Sequence, residues 1–230
     1  MRFTDNLISG TLIKRYKRFF VDVKVNNQII TVHCPNSGSM LGLLDENNKI
    51  WISQSNNPKR KLKFTLELIK VKDNLVGVNT IFANKIVLEA LNNKAIKEFF
   101  KFENIKTEAV YDANTRFDFL LEKNNRKIFL EIKNVTLSIK KNIAEFPDAI
   151  TSRGTKHLKK LLEAKKKGYE SYILYLIQRE NCNQFKIADK IDIEYKRAFI
   201  EAKKKGVKML CYNCKLTPQE IKVNEPVKIL

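Results

Sequence analysis

The sequence has few of the features that mark membrane, secreted or disulfide-stabilised proteins. Its 230 residues contain no apolar run of about 18 residues, so no transmembrane helix is expected. Residues 1–10 lack the apolar core of a signal peptide. Only four cysteines occur, at Cys34, Cys182, Cys211 and Cys214, and they do not suit a disulfide framework. We therefore expect a cytoplasmic protein with reduced thiols and no association with membranes.

Negative charge is also scarce. The chain has 25 acidic against 44 basic residues, which gives a net charge of +19. Residues 1–84 hold 13 basic and 6 acidic residues (+7) and residues 85–230 hold 31 and 19 (+12), so no single tail carries the excess. Folded surfaces this basic are expected to bind a polyanion. The alternative is that the frequent lysine and asparagine reflect an AT-rich coding sequence.

Residues 1–82 are predicted to form an all-β domain. Strand-forming residues fill the runs 11–25, 28–33, 50–54 and 62–71, and Asn26-Asn27 is a hairpin signal. The apolar residues in these runs partly alternate, which indicates a sheet with one buried face. About five short strands in a region of this size predict a small barrel, of which the oligonucleotide-binding (OB) fold is the common form.

Residues 83–230 are predicted to form an α/β domain with a mixed central sheet. The helices are expected at 85–102, with Asn84 as N-cap, at 155–167 and at 193–204. The strands are expected at 107–111, 117–122, 127–135, 172–178 and 208–212. The run 172–178 is continuously apolar, which is typical of a strand buried on both faces.

Four residues of this second domain are the candidates for catalysis: Glu89, Asp118, Glu131 and Lys133. Asp118 lies inside an apolar strand, where an acid needs a partner or a metal ion. Glu131 and Lys133 are two apart in the next strand and therefore share a face. If these two strands pair as a hairpin, Asp118 can lie beside them, and Glu89 on the preceding helix can face the cluster.

Such a cluster suits metal-dependent cleavage of a phosphodiester. Asp118 and Glu131 would hold one or two Mg²⁺ or Mn²⁺ ions. Glu89 would hold a metal-bound water or a second ion. Lys133 would orient the attacking water and stabilise the scissile phosphate. The spacing of Asp118 and Glu131-x-Lys133 is that of a PD-(D/E)xK nuclease. The alternative is an ordinary surface ion pair between Glu131 and Lys133, worth at most about 1 kcal/mol.

Basic and aromatic residues are interleaved in a way that predicts nucleic-acid binding. The predicted contacts are Lys14, Arg15, Lys17, Arg18, Trp51, Lys59, Arg60, Lys61, Arg153, Lys156, His157 and Lys160. Most belong to three blocks, 14–18, 59–63 and 153–167. If the charge serves binding, the three blocks should line one surface that leads to Asp118 and Glu131. For the third block, a solvated helix face is the alternative.

Cys211 and Cys214 form a single CxxC pair. A zinc site needs two further ligands at suitable spacing, and no second pair is present. Buried thiols are therefore the favoured interpretation.

Long motifs lie at residues 10–19, 33–40, 57–62, 75–80, 131–137, 146–149 and 151–158. Together they resemble the sugar fermentation stimulation protein A family, and the resemblance spans essentially the whole chain. One departure is Asp112, where the family usually has glycine.

The resemblance implies an N-terminal OB barrel, a C-terminal PD-(D/E)xK nuclease-like domain and DNA binding. It also implies a link to genes of maltose and sugar catabolism in bacteria.

The function expected from these observations is a DNA-binding protein with a metal-dependent nuclease site. The alternative is a non-catalytic DNA-binding regulator, since nuclease-like folds also serve binding alone. Little sequence preference is expected, and RNA remains open as a partner because barrels also bind RNA. The sequence leaves catalysis, strandedness and oligomeric state open, with a dimer as one option.

Overall fold

The computed structural model describes residues 1–230. Its first part contains β1 (Ile8–Tyr16), β2 (Phe20–Val25), β3 (Gln28–His33), β4 (Lys49–Gln54), β5 (Phe64–Val71) and β6 (Asn74–Gly77). The strands follow the order β3-β2-β1-β4-β5-β6, with antiparallel neighbours. A further contact between His33 of β3 and Thr65 of β5 closes the sheet into a five-stranded barrel.

Two turns shape the start of this barrel. The run predicted at 11–25 is two strands, because Lys17 and Arg18 take φ angles of 46° and 62° and reverse the chain. Asn26 and Asn27, with φ of 47° and 63°, form the predicted hairpin between β2 and β3. The first turn places Lys17 and Arg18 at the exposed tip of a hairpin.

The second part is an α/β unit. Its helices are α1 (Phe82–Asn92), α2 (Ser152–Lys166) and α3 (Ile193–Lys204). Its strands are β7 (Asn104–Asp112), β8 (Thr115–Lys123), β9 (Arg126–Val135), β10 (Asn142–Phe146), β11 (Glu170–Ile177), β12 (Cys182–Ile187), β13 (Lys208–Leu216), β14 (Ile221–Pro226) and β15 (Lys228–Ile229). None of the three helices has the length and apolar character that crossing a lipid bilayer requires.

The main sheet of this unit has the order β14-β13-β11-β9-β8-β7. Strand β11 is parallel to both β9 and β13, whereas the outer pairs are antiparallel, so the sheet is mixed. Strands β10, β12 and β15 form a small parallel sheet beside it. An OB barrel followed by an α/β domain with a mixed sheet confirms the predicted fold class.

The main sheet separates two apolar cores. One core packs α1 and the barrel residues Trp51 and Leu68 against one face of the sheet. The other core packs α2 and α3 against the opposite face. A third, smaller core fills the barrel. Since Trp51 and Leu68 belong to the first of these cores, the barrel and the α/β unit are joined by apolar packing.

Backbone hydrogen bonds also join the two parts. Gly77 at the end of β6 donates to the carbonyl of Gln178 at 2.8 Å. Phe3 donates to the carbonyl of Gln219 at 3.0 Å, so the first residues pair with the α/β unit and not with the barrel. The division expected between residues 82 and 83 falls at the first turn of α1.

Two predictions about local structure are wrong in detail. The helix expected at 85–102 begins at Phe82 and ends at Asn92, and short turns follow it. Asn84 is therefore inside the first turn of α1 and does not cap it. Five strands, β6, β10, β12, β14 and β15, lie where none was predicted, because they are short or polar and are stabilised by their neighbours.

Candidate active site and nucleic-acid interface

Asp118 lies at the point where the pairing of β8 and β9 stops. The ladder ends at Phe119 opposite Leu130, one step before Asp118 would face Glu131. There the Asp118 carboxylate accepts the backbone N–H of Ile132 at 2.7 Å and the side-chain amide of Asn84 at 2.8 Å. Both carboxylate oxygens are thus held by donors, one from β9 and one from α1.

Strand β8 changes face at this residue. Phe117 packs in the core under α2 and α3, whereas Phe119 packs in the core under α1. In a regular strand residues two apart share a face, so the alternation is broken at Asp118. The irregularity lets an acid in an apolar strand contact the backbone of β9 and the side chain of α1 together.

Glu131 is the buried centre of a polar cluster. Only 3% of the residue is exposed, and its Oε1 accepts from the amine of Lys133 at 2.6 Å and contacts Nδ1 of His157. Its Oε2 is buried and has no hydrogen-bond partner. A buried carboxylate oxygen without a partner is costly, which marks this position as one that an additional cation or donor would satisfy.

The two acids differ in pKa. Burial, followed by the nearby charge of Glu131, raises the pKa of Asp118 to about 6. Burial also acts to raise the pKa of Glu131, but Lys133 and His157 outweigh it and hold that pKa below its usual value. Glu131 is therefore ionised at neutral pH, whereas Asp118 gains or loses its proton at a pH only slightly below neutral. Pairs of acids separated in this way are typical of functional sites.

Glu89 is not part of this cluster. Its carboxylate accepts from the ammonium group of Met1 at 2.6 Å, and 39% of its side chain is exposed. Glu89 follows Asn84 by five residues, which is about 140° around a helix, so the two side chains face different ways. Glu89 is therefore not in the position expected of a catalytic and metal-binding residue. Helix α1 instead contributes Asn84 to the cluster, as a donor to Asp118.

The two remaining acids, Asp118 and Glu131, are residue types that divalent cations use as ligands. No three His, Cys, Asp or Glu side chains surround a common metal position. The charge of Glu131 nevertheless acts on Asp118, and Oε2 of Glu131 has no hydrogen-bond partner. Mg²⁺ commonly binds through one or two carboxylates and keeps several waters. The unpartnered oxygen of Glu131 therefore has the chemistry of a ligand for a hard cation that keeps several waters.

Lys133 connects the cluster to a cleft of about 790 Å³. The barrel lines the cleft with Arg15 and Arg18, and the α/β unit lines it with Lys133 and Arg153. Part of the first and third basic blocks thus share one cavity with the proposed catalytic lysine. The block at 59–63 does not line the cleft.

Arg15 stabilises one wall of this cleft through hydrogen bonds to the backbone. Its guanidinium donates to the carbonyls of Arg18 at 2.8 Å, Asn36 at 2.7 Å and Ser39 at 3.3 Å. It thereby fixes the loop at residues 34–40, which forms one wall of the cleft. Gly38 in this loop packs so closely on the carboxylate of Asp148 that a Cβ atom there would require this carboxylate to move.

The predicted nucleic-acid contacts fall into three groups. Cations that form no salt bridge are Arg15, Lys17, Arg18, Lys59, Arg60, Lys61, Arg153 and Lys156. Lys14 pairs with Asp22, and Lys160 pairs with Asp112 and Glu163. The departure from the family at Asp112 thus provides a partner for Lys160.

Two of the predicted contacts are wrong. Trp51 is only 9% exposed and packs in the core between the barrel and α1, so it cannot stack on a base. His157 is buried against Glu131 and the ring of Phe117, so it does not contact a phosphate on the surface.

Sequence reasoning missed Asn84 and the actual role of His157. His157 is one of only two histidines, but its place in a lysine-rich helix suggested a surface position. Its spacing to Leu158, Leu161 and Leu162 on the buried side of α2 was the available signal. For Asn84 no comparable signal exists.

Cys211 and Cys214 are both buried and free. Burial raises the pKa of each thiol above its ordinary value.

Two family models cover most of the chain. Residues 13–78 match the SfsA N-terminal OB domain, and residues 81–220 match the sugar fermentation stimulation protein RE domain. The chain belongs to the sugar fermentation stimulation protein family. The resemblance inferred from the sequence motifs is thereby confirmed.

Full-length relatives agree with this assignment. A sugar fermentation stimulation protein homolog of Pelagibacter ubique is 58% identical over 230 residues and covers 100% of this chain and 99% of the relative. The homolog of Paramagnetospirillum magneticum is 43% identical over 229 residues, which are 99% of this chain and 97% of the relative.

A solved structure shares the fold. SfsA of Pyrococcus furiosus, solved in complex with Ca²⁺, superposes with a TM-score of 0.91 at 20% identity. The match covers 100% of this chain and 98% of that one. Both the OB barrel and the α/β domain of this chain therefore have a solved counterpart.

Proposed function

We propose that this protein binds DNA and cleaves its phosphodiester bonds with the help of Mg²⁺ or Mn²⁺. The observation that carries the proposal is Oε2 of Glu131, a buried carboxylate oxygen without a partner. It lies in the cluster that also holds Lys133, and burial, followed by the charge of Glu131, raises the pKa of Asp118. Lys133 lines the basic cleft, where a phosphate would approach.

A divalent ion held by Asp118 and Glu131 would offset charge on the phosphate and lower the pKa of a bound water. The Ca²⁺ in the complex of Pyrococcus furiosus SfsA supports a hard cation for this family. Asn84 and the N–H of Ile132 keep the Asp118 carboxylate in place. His157 fixes the orientation of Glu131.

Lys133 is the residue that would meet the phosphate. Its ammonium group contacts Glu131 at 2.6 Å, and only 13% of its side chain is exposed. A partly desolvated cation interacts more strongly with a phosphate oxygen than a solvated one does. Lys133 can therefore stabilise the charge that develops on the phosphate and orient the attacking water.

The cations that line the cleft support DNA as the substrate. Arg18 and Arg153 are exposed, come from different parts of the chain and form no salt bridge. Each phosphate that such a residue neutralises adds to a salt-dependent affinity. Binding to matched oligonucleotides of duplex DNA, single-stranded DNA and RNA distinguishes these substrates.

Cleavage assays with purified protein test this proposal. Plasmid and single-stranded DNA are incubated with Mg²⁺ or Mn²⁺, and matched RNA is included. We expect cleavage by the wild type, none by Asp118→Ala and unchanged cleavage by Asp73→Ala, whose side chain is 99% exposed. Undiminished cleavage by Asp118→Ala would remove the site assignment.

A non-catalytic DNA-binding regulator of sugar catabolism genes is the second candidate. The observation that favours it is the small number of ligands, because Glu89 is engaged with Met1 and no cluster of three acids exists. In that case no substrate is cleaved, DNA affinity still falls steeply with salt, and Glu131→Ala leaves regulation intact.

A further inference from the structure

Ile150 is an isoleucine at the mouth of the cleft with 81% of its surface exposed. It is the most exposed of the large apolar side chains. It also lines a second groove of about 620 Å³, which lies between the first turns of α2 and α3. Ile150 thus forms the ridge between two neighbouring cavities.

The ridge is surrounded by unpaired positive charge. Arg18 and Arg153 line the cleft on one side, and Lys156 and Lys159 line the groove on the other. All four are exposed, and none forms a salt bridge.

Four acids line these two cavities: Glu145, Asp148, Asp192 and Glu194. Two of them are neutralised by other cations, so the four free cations outnumber the two acids that remain. Glu145 pairs with Lys186 and Glu194 with Arg197. Asp148 accepts the N–H of Met40, and Asp192 caps α3. The surface therefore offers free cations around one apolar tip.

We propose that Ile150 inserts between neighbouring bases of DNA bound along the cleft and the groove. Nucleic acid combines an outer row of phosphates with stacked apolar bases, which matches cations around an apolar tip. Apolar side chains that enter a base step unstack it and bend the strand. This inference rests on the proposed DNA binding and adds a preference for one class of DNA.

The preferred class is DNA in which stacking is already weakened. Opening an intact base step costs free energy, and a mismatched step costs less. A duplex with a short mismatched bubble should therefore bind more tightly than an intact duplex of the same sequence. The difference should depend on the side chain at residue 150.

The experiment uses full-length protein and 2-aminopurine, a base whose fluorescence rises when it is unstacked. The probe is a short duplex with 2-aminopurine beside a two-base bubble, and the intact duplex is its comparison. We expect wild-type protein to raise the fluorescence of the bubble probe and to prefer it to the intact duplex. For Ile150→Ala we expect no rise and about tenfold weaker binding of the bubble, as for loss of a buried isoleucine side chain.

Two variants serve as controls. Ile150→Leu keeps an apolar tip and should keep the fluorescence rise. Ile29→Ala removes an isoleucine that is 68% exposed on β3 and lines neither cavity, so it should bind like wild type.

The outcomes separate this inference from the proposed function. Wild-type protein that binds neither duplex overturns both. Protein that binds both duplexes equally, or Ile150→Ala that still raises the fluorescence, overturns only the role of Ile150. Loss of the rise in Ile150→Ala alone supports it.

Discussion

Replacing Asp118 with asparagine is expected to stabilise the protein at pH 8 and to destabilise it below pH 4. Folding raises the pKa of Asp118 from 3.8 to about 6. The native state therefore binds this proton more tightly than the unfolded chain. The stability that Asp118 contributes is fully present below pH 3.8 and is lost as the pH rises through about 6.

The magnitude follows from this difference of about two pKa units. At 1.36 kcal/mol per unit, the ionised Asp118 costs about 3 kcal/mol of folding stability at pH 8. Asparagine removes that cost, but it has one acceptor oxygen where Asp118 meets two donors, Asn84 and the N–H of Ile132. The lost hydrogen bond costs about 1 kcal/mol. The variant should be about 2 kcal/mol more stable at pH 8 and about 1 kcal/mol less stable below pH 4.

Urea denaturation of both proteins at several pH values between 3.5 and about 8 measures this difference. Other titrating groups affect wild type and variant alike, so the change in their difference isolates Asp118. Asp73→Asn, at a 99% exposed position, is the matched control and should change little. Mg²⁺ at pH 8 should stabilise the wild type and not Asp118→Asn. A variant that is equally destabilised at all pH values would refute the burial of Asp118 beside Glu131.

Three further predictions follow from the placement of single residues. Trp51→Ala should lower the free energy of unfolding in urea by about 3–5 kcal/mol, because the ring is in the core, and should leave the DNA affinity of the folded protein unchanged. Glu89→Gln should keep metal-dependent cleavage, whereas Glu131→Gln should abolish it. An equal loss of cleavage in both variants would show that Glu89 belongs to the site. Gly38→Ala should destabilise the protein by about 1 kcal/mol, because its Cβ would displace the Asp148 carboxylate from the N–H of Met40, and Ser37→Ala is the control in thermal unfolding.

Much of the fold was predictable because the signals are local. The helix expected at 193–204 is α3, residue for residue, since Asp192 caps it and Gly206 follows it. The strands around Asp118 and Glu131 were expected from their apolar runs, and the structure pairs them as adjacent antiparallel strands. The contact between Glu131 and Lys133 followed from the two-residue repeat of a strand.

The rest of the site depends on how the elements pack. Whether Glu89 or Asn84 faces Asp118 is set by the rotation of α1, and that rotation is fixed by the apolar core beneath the helix. Trp51 is an aromatic residue of the type that stacks on bases, but the α/β unit covers it. No pattern within the barrel sequence could reveal that cover, because the covering residues are distant in the chain.

The sequence by itself determined the two-part architecture, the basic surface and the pairing of Glu131 with Lys133. Each depends on composition or on neighbours within a few residues. Only the tertiary structure decided that His157 and Asn84 complete the cluster, that Arg18 and Arg153 share a cleft, and that Glu89 is excluded. These outcomes depend on which faces of distant elements meet, and that is fixed by the packing of the shared apolar cores rather than by local sequence.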